Sequence, residues 1–315
     1  MVSLFHKLIN INLICIIKFY FRSMNRKDFI KKSAALSAIG LSSPVILKAN
    51  TTKTISTYDK LKDQIGFNHL PNKEIKTMNS VVHKANTRGH ADHGWLKANH
   101  SFSFANYYNP ERMNFGVIRV LNDDSIAPER GFGTHPHDNM EIITIPLEGD
   151  LKHRDNMGNG TIIKNGDIQV MSAGTGITHS EFNANSDSHC KLLQIWLFPD
   201  TKNVTPRYDQ KAISSMAKKN KLYQILSPDK NDQGVWIHQN AWFHIGEYVE
   251  KSKDEYILKC RGNGIYFFVI EGEVNINDQQ LSKRDGMGIW EIDQINFEAK
   301  ANSKILLMEV PLEIN

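Results

Sequence analysis

Across residues 80–312 the hydrophobic pattern has the short period of extended chain. Val117-Ile118-Arg119-Val120-Leu121, Ile142-Ile143-Thr144-Ile145 and Leu192-Leu193-Gln194-Ile195-Trp196-Leu197 are nearly continuous apolar runs of strand length. Runs of that kind fill sheets buried on both faces. Turn chemistry punctuates them: Asn122-Asp123-Asp124, Glu148-Gly149-Asp150, residues 156–160, Asn165-Gly166-Asp167 and Pro199-Asp200. Gly tolerates positive φ, and Asn and Asp hydrogen-bond their own backbone, so each cluster predicts a reversal. Short strands at this spacing predict an all-β chain, barrel or sandwich. The first folded strand is expected near Val81-Val82-His83.

The pattern occurs twice. Pro146-Leu147-Glu148-Gly149-Asp150 has a counterpart in Val269-Ile270-Glu271-Gly272-Glu273, and Asn165-Gly166-Asp167-Ile168 in Arg284-Asp285-Gly286-Met287. This is an internal repeat of one barrel unit. Residues 201–233, polar and Lys-rich, read as the crossover between the copies, with Lys218-Lys219-Asn220-Lys221 on a solvated face.

Candidate chemistry gathers in the first copy. In extended chain successive side chains alternate faces, so His135 and His137 of Thr134-His135-Pro136-His137 point one way. The same holds for His179 and Glu181 of Thr178-His179-Ser180-Glu181. Two such pairs on neighbouring strands converge three imidazoles and one carboxylate on a point. That donor set suits Fe(II), Ni(II), Cu(II) or Zn(II) and leaves positions open, whereas hard cations prefer oxygen. One H-x-H is a common accident; two same-parity pairs, each preceded by glycine-rich turn sequence, are not. The second copy offers no histidine in residues 251–259, where its first motif belongs, and its last strands end in Leu306-Leu307-Met308-Glu309. Its expected role is structural, closing the first barrel and covering its edge.

GTHPHDNMEIITIPLEGDLKHRDNMGNG followed by GDIQVMSAGTGITHSEFN resembles the pirin family of bicupins, in its bacterial quercetinase-like branch, over roughly residues 80–312. The resemblance implies two tandem cupin (double-stranded β-helix) barrels. It also implies one divalent metal held by His135, His137, His179 and Glu181, with Fe(II) the leading expectation and Ni, Cu or Zn alternatives. Glu141 matches a glutamate that many other cupins use as a ligand; here Glu181 takes that place, and Glu141 is expected either beside the ligands or in a structural role. The implied activity is that of a quercetin 2,3-dioxygenase, in which O2 opens the ring of a small aromatic polyhydroxylated substrate such as a flavonol, with release of carbon monoxide. Glu181 would then also take the substrate's hydroxyl proton. The competing readings are a non-catalytic metal-binding or redox-sensing protein, as in the eukaryotic pirin branch, and a zinc hydrolase or isomerase on the same barrel. No H-E-x-x-H and no Ser-His-Asp order supports the last.

Charge and leader sequence change the picture of location and partners. The chain of 315 residues carries a net charge of +4, but its first fifty residues hold eight Lys/Arg against one Asp. The leader is thus +7 and the remainder −3, which argues against nucleic acid as a partner. The apolar run at residues 13–17 ends at Lys18, too short for a membrane span. Met24 opens a better-formed leader: Asn25-Arg26-Lys27-Asp28-Phe29-Ile30-Lys31-Lys32, a mildly apolar stretch over 34–41, then Ala49-Asn50. It resembles a twin-arginine signal with Lys27 in place of the second arginine. The expected organisation is therefore a leader over 1–50 with the true start at Met24, a polar linker over 51–79, a metal-binding cupin over 80–200, a crossover over 201–233 and a ligand-free cupin over 234–315. Export to the periplasm follows, with a cytoplasmic location as the alternative. Oligomeric state is left open, a monomer being sufficient.

Other residues invite blander readings. Cys190 and Cys260 form no disulfide framework and are expected to be buried. His90, His93 and His100 lack ligand spacing and read as surface or turn residues, and Asp123 and Asp124 as turn carboxylates. Trp95, Phe102, Phe104 and Tyr107 read as core, with a place at the site entrance as the alternative.

Overall fold

The computed structural model describes residues 78–314. The expectations for the leader at 1–50, the start at Met24 and nearly all of the linker at 51–79 lie outside the described residues.

The chain is nearly all strand, as the period predicts. β1 (Asn79–His83) is followed by β2 (Gly89–Asp92), β3 (Leu96–His100), β4 (Ile118–Ile126), β5 (Gly131–His137), β6 (Glu141–Glu148), β7 (Leu151–Asp155), β8 (Gly160–Ile163), β9 (Asp167–Ser172), β10 (Ile177–Asn183), β11 (Cys190–Leu197) and β12 (Arg207–Ala212). Then come β13 (Leu222–Ser227), β14 (Val235–Trp236), β15 (Trp242–Tyr248), β16 (Ser252–Ile257), β17 (Asn263–Glu271), β18 (Glu273–Ile276), β19 (Gln279–Ser282), β20 (Gly286–Trp290), β21 (Gln294–Ala299) and β22 (Ser303–Pro311). Among the described residues no helix is long and apolar enough to cross a membrane.

Each half forms a seven-stranded and a four-stranded sheet. The first half orders them β12-β9-β6-β11-β4-β3-β2 and β5-β10-β7-β8; the second, β1-β20-β17-β22-β15-β13-β14 and β16-β21-β18-β19. For the eight strands β4–β11 and β15–β22 the two orders are the same position for position, so the repeat read from the turns is a repeat of barrels. The two turn glycines that announce it, Gly149 and Gly272, both have positive φ, a conformation that costs glycine nothing. One strand is exchanged. β1 precedes the first barrel yet pairs with β20 of the second, Val81 opposite Gly288. The equivalent edge of the first barrel is filled by β12, Asp209 opposite Val170. The polar stretch 201–233 thus contains strands of both barrels, because β12 belongs to the first and β13 to the second.

Two local expectations need correction. Asn122-Asp123-Asp124 is no turn: the three residues lie within β4, opposite Gln194, Leu193 and Leu192 of β11. Two of the three polar side chains, Asn122 and Asp123, have partners that stabilise them there. Asp123 Oδ2 accepts from Arg88 at 3.1 Å and from Arg284 of the second barrel at 3.0 Å. Asn122 Oδ1 lies 2.8 Å from Nδ1 of His100, and His100 is buried rather than a surface residue.

The two barrels share a core. Phe115, Val117, Leu121, Ile143 and Ile195 of the first pack in one cluster with Tyr266, Phe268, Leu306 and Met308 of the second. The barrel interiors differ sharply. The second is filled by Val269, Ile276, Ile295, Phe297 and Leu307 among others. The first buries Thr144, His153, Gln169, His179, Glu181 and Gln194. Burying polar groups costs free energy unless they are paired, so a polar lumen has to be explained by what it holds. Truncating the shared core should cost the most. Phe268→Ala removes a fully buried ring and is expected to lower the unfolding free energy by about 3–5 kcal/mol, read from the midpoint of chemical denaturation; a loss below about 1 kcal/mol would contradict the packing described.

Candidate metal centre

The site begins with the pairing of β5 and β10. His135 lies directly opposite His179, and His137 opposite Ile177. Between His179 and Glu181 the register shifts, so that Glu181 faces Phe132: β5 spends three residues where β10 spends two. The extra residue is a bulge, a device that re-aims side chains, and it falls at Gly133-Thr134. Gly131 lets the strands close at that point, since a Cβ there would sit 2.0 Å from the carbonyl oxygen of Glu181.

The result is a triad. Ligand atoms of His135, His137 and His179 all lie within 4.8 Å of one another. The ring centroids are 4.4 Å apart for His135 and His179, and 5.0 Å for the two pairs that include His137. A hydrogen bond fixes one tautomer outright: His135 Nδ1 lies 2.8 Å from the carbonyl oxygen of Gly133. That oxygen only accepts, so Nδ1 carries the proton and Nε2 keeps its lone pair. Nε2 of His137 and of His179 are buried without any hydrogen-bond partner. Burial, reinforced by neighbouring imidazoles, holds His179 down to about 2 and His137 to about 4. Neutral rings with unshared nitrogen lone pairs aimed together are what a borderline transition metal requires, so the residues present fit one.

Glu181 stands slightly apart. It is buried on the same face of β10 as His179, but its carboxylate accepts from Nε2 of Gln194 at 3.1 and 3.3 Å and does not share the 4.8 Å grouping of the three histidines. Gln194 is in turn oriented by Thr144, whose hydroxyl donates to its Oε1 at 2.7 Å. Burial pushes the Glu181 carboxyl up, opposed by the Gln194 hydrogen bond and by His135. Glu141 lies elsewhere. It accepts from Ser172 Oγ at 2.7 Å, Arg207 bears on its charge, and Arg207 stacks 3.9 Å over the Trp236 ring. Of its two expected roles the structural one is what this geometry describes, a tie at the junction of the barrels.

Aromatic rings flank the triad. Trp196 packs edge-on at 4.8 Å from His137 and Phe104 edge-on against Trp196, while Phe132 stands between Trp95 and His135. Phe104 and Trp95 therefore lie at the site, whereas Phe102 is core. A broad open concavity of about 830 Å³ lies on the outer face of the second barrel, lined by Lys253, Asn275, Asn296 and Glu298 among others. It holds no cluster of ligating groups, and the chemistry belongs to the triad.

Sequence reading missed three residues here. Gln194 was a lone polar residue in an apolar run. His153 was marked by alternation: in Leu151-Lys152-His153-Arg154-Asp155, positions 151, 153 and 155 are buried and the others exposed. Asp124 was hidden by the turn reading; its Oδ1 is buried without a partner, and burial, with Asp123 and Glu181 nearby, raises its carboxyl to about 8.

The second barrel shows what the first would be without a site. The position that stands before Gly272 as His135 stands before Gly149 is Leu258, whose side chain belongs to the core.

Two tandem barrels, nearly all strand, with three converging imidazoles in one lumen define a bicupin with a candidate metal centre in its first barrel. Residues 80–197 match the Pirin family and residues 224–310 the quercetinase C-terminal cupin domain. The chain is 41% identical over 230 residues to a quercetin 2,3-dioxygenase of Escherichia coli K12, covering 73% of this chain and 98% of that protein. A pirin-like protein of Caulobacter vibrioides is 36% identical over 221 residues, 70% of this chain and 95% of the relative. Among solved structures, the E. coli bacterial pirin YhhW in complex with nickel(II) superposes with a TM-score of 0.70 at 39% identity, over 75% of this chain and all of that one. The chain belongs to the pirin family.

The histidine pKa values set an acid limit on the metal-free protein. A group whose folded pKa lies below its unfolded value of about 6.5 contributes stability above that pH and loses it on acidification toward the folded value. His137 and His83, both held to about 4, should therefore make the denaturation midpoint fall as pH drops from about 6.5 to 4. His137→Gln should flatten that fall, and an equally steep fall in the variant would contradict the assigned cause.

Proposed function

We propose that the chain is a metal-dependent dioxygenase of the pirin/quercetinase type, acting with O2 on a flavonol or a similar enediol or catechol, with Fe(II) as the leading metal and Ni, Cu or Zn as alternatives. The observation that carries this is the pair of orphaned nitrogens, His137 Nε2 and His179 Nε2, aimed together with the free Nε2 of His135. Relatives named quercetin 2,3-dioxygenase and a nickel-bearing pirin support it. A bound ion would supply Lewis acidity and, if iron or copper, a path for electrons between substrate and O2.

The chain's own residues do the rest. His135, His137 and His179 hold the ion as neutral donors. Glu181, on the same face of β10, serves as the fourth ligand or shifts to take the substrate's hydroxyl proton on its carboxylate. Burial favours its protonated form, so it gains such a proton readily, and Gln194 keeps the carboxylate in the lumen meanwhile. The flat walls offered by Trp196, Phe104 and Phe132 suit a planar aromatic substrate. In the balanced reaction one O2 is consumed per flavonol, the ring opens and one carbon monoxide leaves. The export reading of the leader belongs with this proposal, because a pathway for folded protein lets the site load before transit.

Two experiments test it. Full-length protein loaded anaerobically with Fe(II) should consume O2 and release carbon monoxide when quercetin is added. Full metal content with no O2 uptake would contradict dioxygenase chemistry and favour a binding role. His135→Ala and His179→Ala should each lose bound metal by elemental analysis, since one of few ligands is gone, and unchanged metal content would contradict the ligand assignment.

A further inference from the structure

His153 is a buried titratable group beside the triad that the proposed reaction leaves unused. It lies on β7, directly opposite Glu181 of β10, and is 1% exposed. Its Nε2 is 3.3 Å from Nδ1 of His179, on the side of that ring away from the triad. If His179 is to present an unshared pair at Nε2, its proton must sit on Nδ1. Among the described residues the partner placed for that proton is Nε2 of His153. Accepting there places the proton of His153 on its own Nδ1, a buried atom with no hydrogen-bond partner.

The ring of His153 is itself held from outside the barrel's sequence unit. Tyr208 of β12 lies against it, centroids 5.0 Å apart and planes inclined by 32°. The Tyr208 hydroxyl donates to Gln210 Oε1 at 2.7 Å, so the 2.7 Å contact with Thr161 is a hydroxyl of Thr161 donating to Tyr208. Gln210 Nε2 continues the chain to Asp167 Oδ2 at 2.8 Å and the Ile162 carbonyl at 3.0 Å. A side chain with three anchored neighbours along β8, β9 and β12 therefore backs the imidazole that backs the triad.

We propose that His153 is a positioning residue for His179: it accepts the Nδ1 proton, fixes the tautomer that leaves Nε2 free, and is itself held by Tyr208 of β12, the edge strand of the first barrel. This rests on the metal-centre reading above. Ligating histidines generally donate their other N–H to an acceptor, which sets ring orientation and ligand basicity, and losing that acceptor costs about 10–100-fold in metal affinity. Here the acceptor is a second imidazole rather than a carboxylate or carbonyl, so it adds no charge to the site. The segment read from sequence as a crossover thereby contributes to the centre through Tyr208.

The test uses two variants of His153 in the full chain. His153→Gln puts an amide oxygen near the position of Nε2 and keeps an acceptor, whereas His153→Leu removes it. Imidazole nitrogen–proton correlation spectra of the metal-free protein read the His179 tautomer directly, and competition with a chromogenic chelator reads the Ni(II) dissociation constant. The expected result is a single Nδ1-protonated His179 in wild type and His153→Gln, with a mixture of tautomers and about 10–100-fold weaker Ni(II) binding in His153→Leu. An unchanged tautomer and unchanged affinity in His153→Leu would overturn the proposal. If His153→Leu does not fold, Tyr208→Leu, on the edge strand β12, gives the same readouts: loosened tautomer and weaker binding support the role, and wild-type values overturn it. A wild type that binds no Ni(II) would overturn the metal reading, while the metal-free spectra would still decide the role of His153.

Discussion

Everything at the centre depends on one backbone register, His135 opposite His179, with an extra residue in β5 immediately before it. Side chains on paired strands repeat every two residues, so a slip of one would turn both histidines out of the barrel. The bulge at Gly133-Thr134 has two effects. It sets Phe132 rather than Gly133 opposite Glu181, and it brings the Gly133 carbonyl to Nδ1 of His135. Strand pairing thus sets both the position of one ligand and the nitrogen it presents.

The two barrels divide the work. Their eight barrel strands follow the same order, yet the second lumen is largely apolar, with its Glu309 carboxylate held by Tyr256, Asn263 and two backbone N–H groups, whereas the first buries a cluster of imidazoles, amides and carboxylates with orphaned nitrogens. The apolar barrel packs as an ordinary interior and lends its sheet to a core shared with the first. The Asp123 contacts with Arg88 and Arg284, the exchanged strand β1 and the Arg207–Trp236 stack bind the halves further. A barrel carrying a costly polar lumen is in this way stabilised by a neighbour whose lumen is largely apolar. Polar groups left without partners in the first lumen mark where an ion and a substrate would complete the hydrogen-bonding and ligation of the site.

Much of this was legible in the chain. The period-two parity of H-P-H and H-S-E placed three imidazoles together, and the glycine turns announced both barrels, because those signals are local and a single backbone conformation explains each. What was not legible depends on contacts distant in sequence. Asn122-Asp123-Asp124 has turn composition, but guanidinium groups from residues 88 and 284 and the ring of His100 hold it inside a strand. The stretch 201–233 reads as solvated because β12 lies at a sheet edge and β13 one strand in from another, and polar loop residues separate them. His153 and Gln194 gave weak local signals, an alternation and a lone amide, and their roles emerge only when β7 and β11 are brought beside β10. Glu181 shows the limit of parity: it predicts the face correctly but not that the carboxylate would rest on Gln194.

The central claim is that three neutral imidazoles of the first barrel hold one transition-metal ion. The most direct measurement is anomalous diffraction from crystals of the full-length chain loaded with Ni(II), collected on either side of the nickel edge. The account predicts one peak in the first barrel, about 2.0–2.2 Å from Nε2 of His135, His137 and His179, as expected for metal–imidazole bonds. A peak elsewhere, or none in the first lumen despite nickel in the crystals, would contradict it.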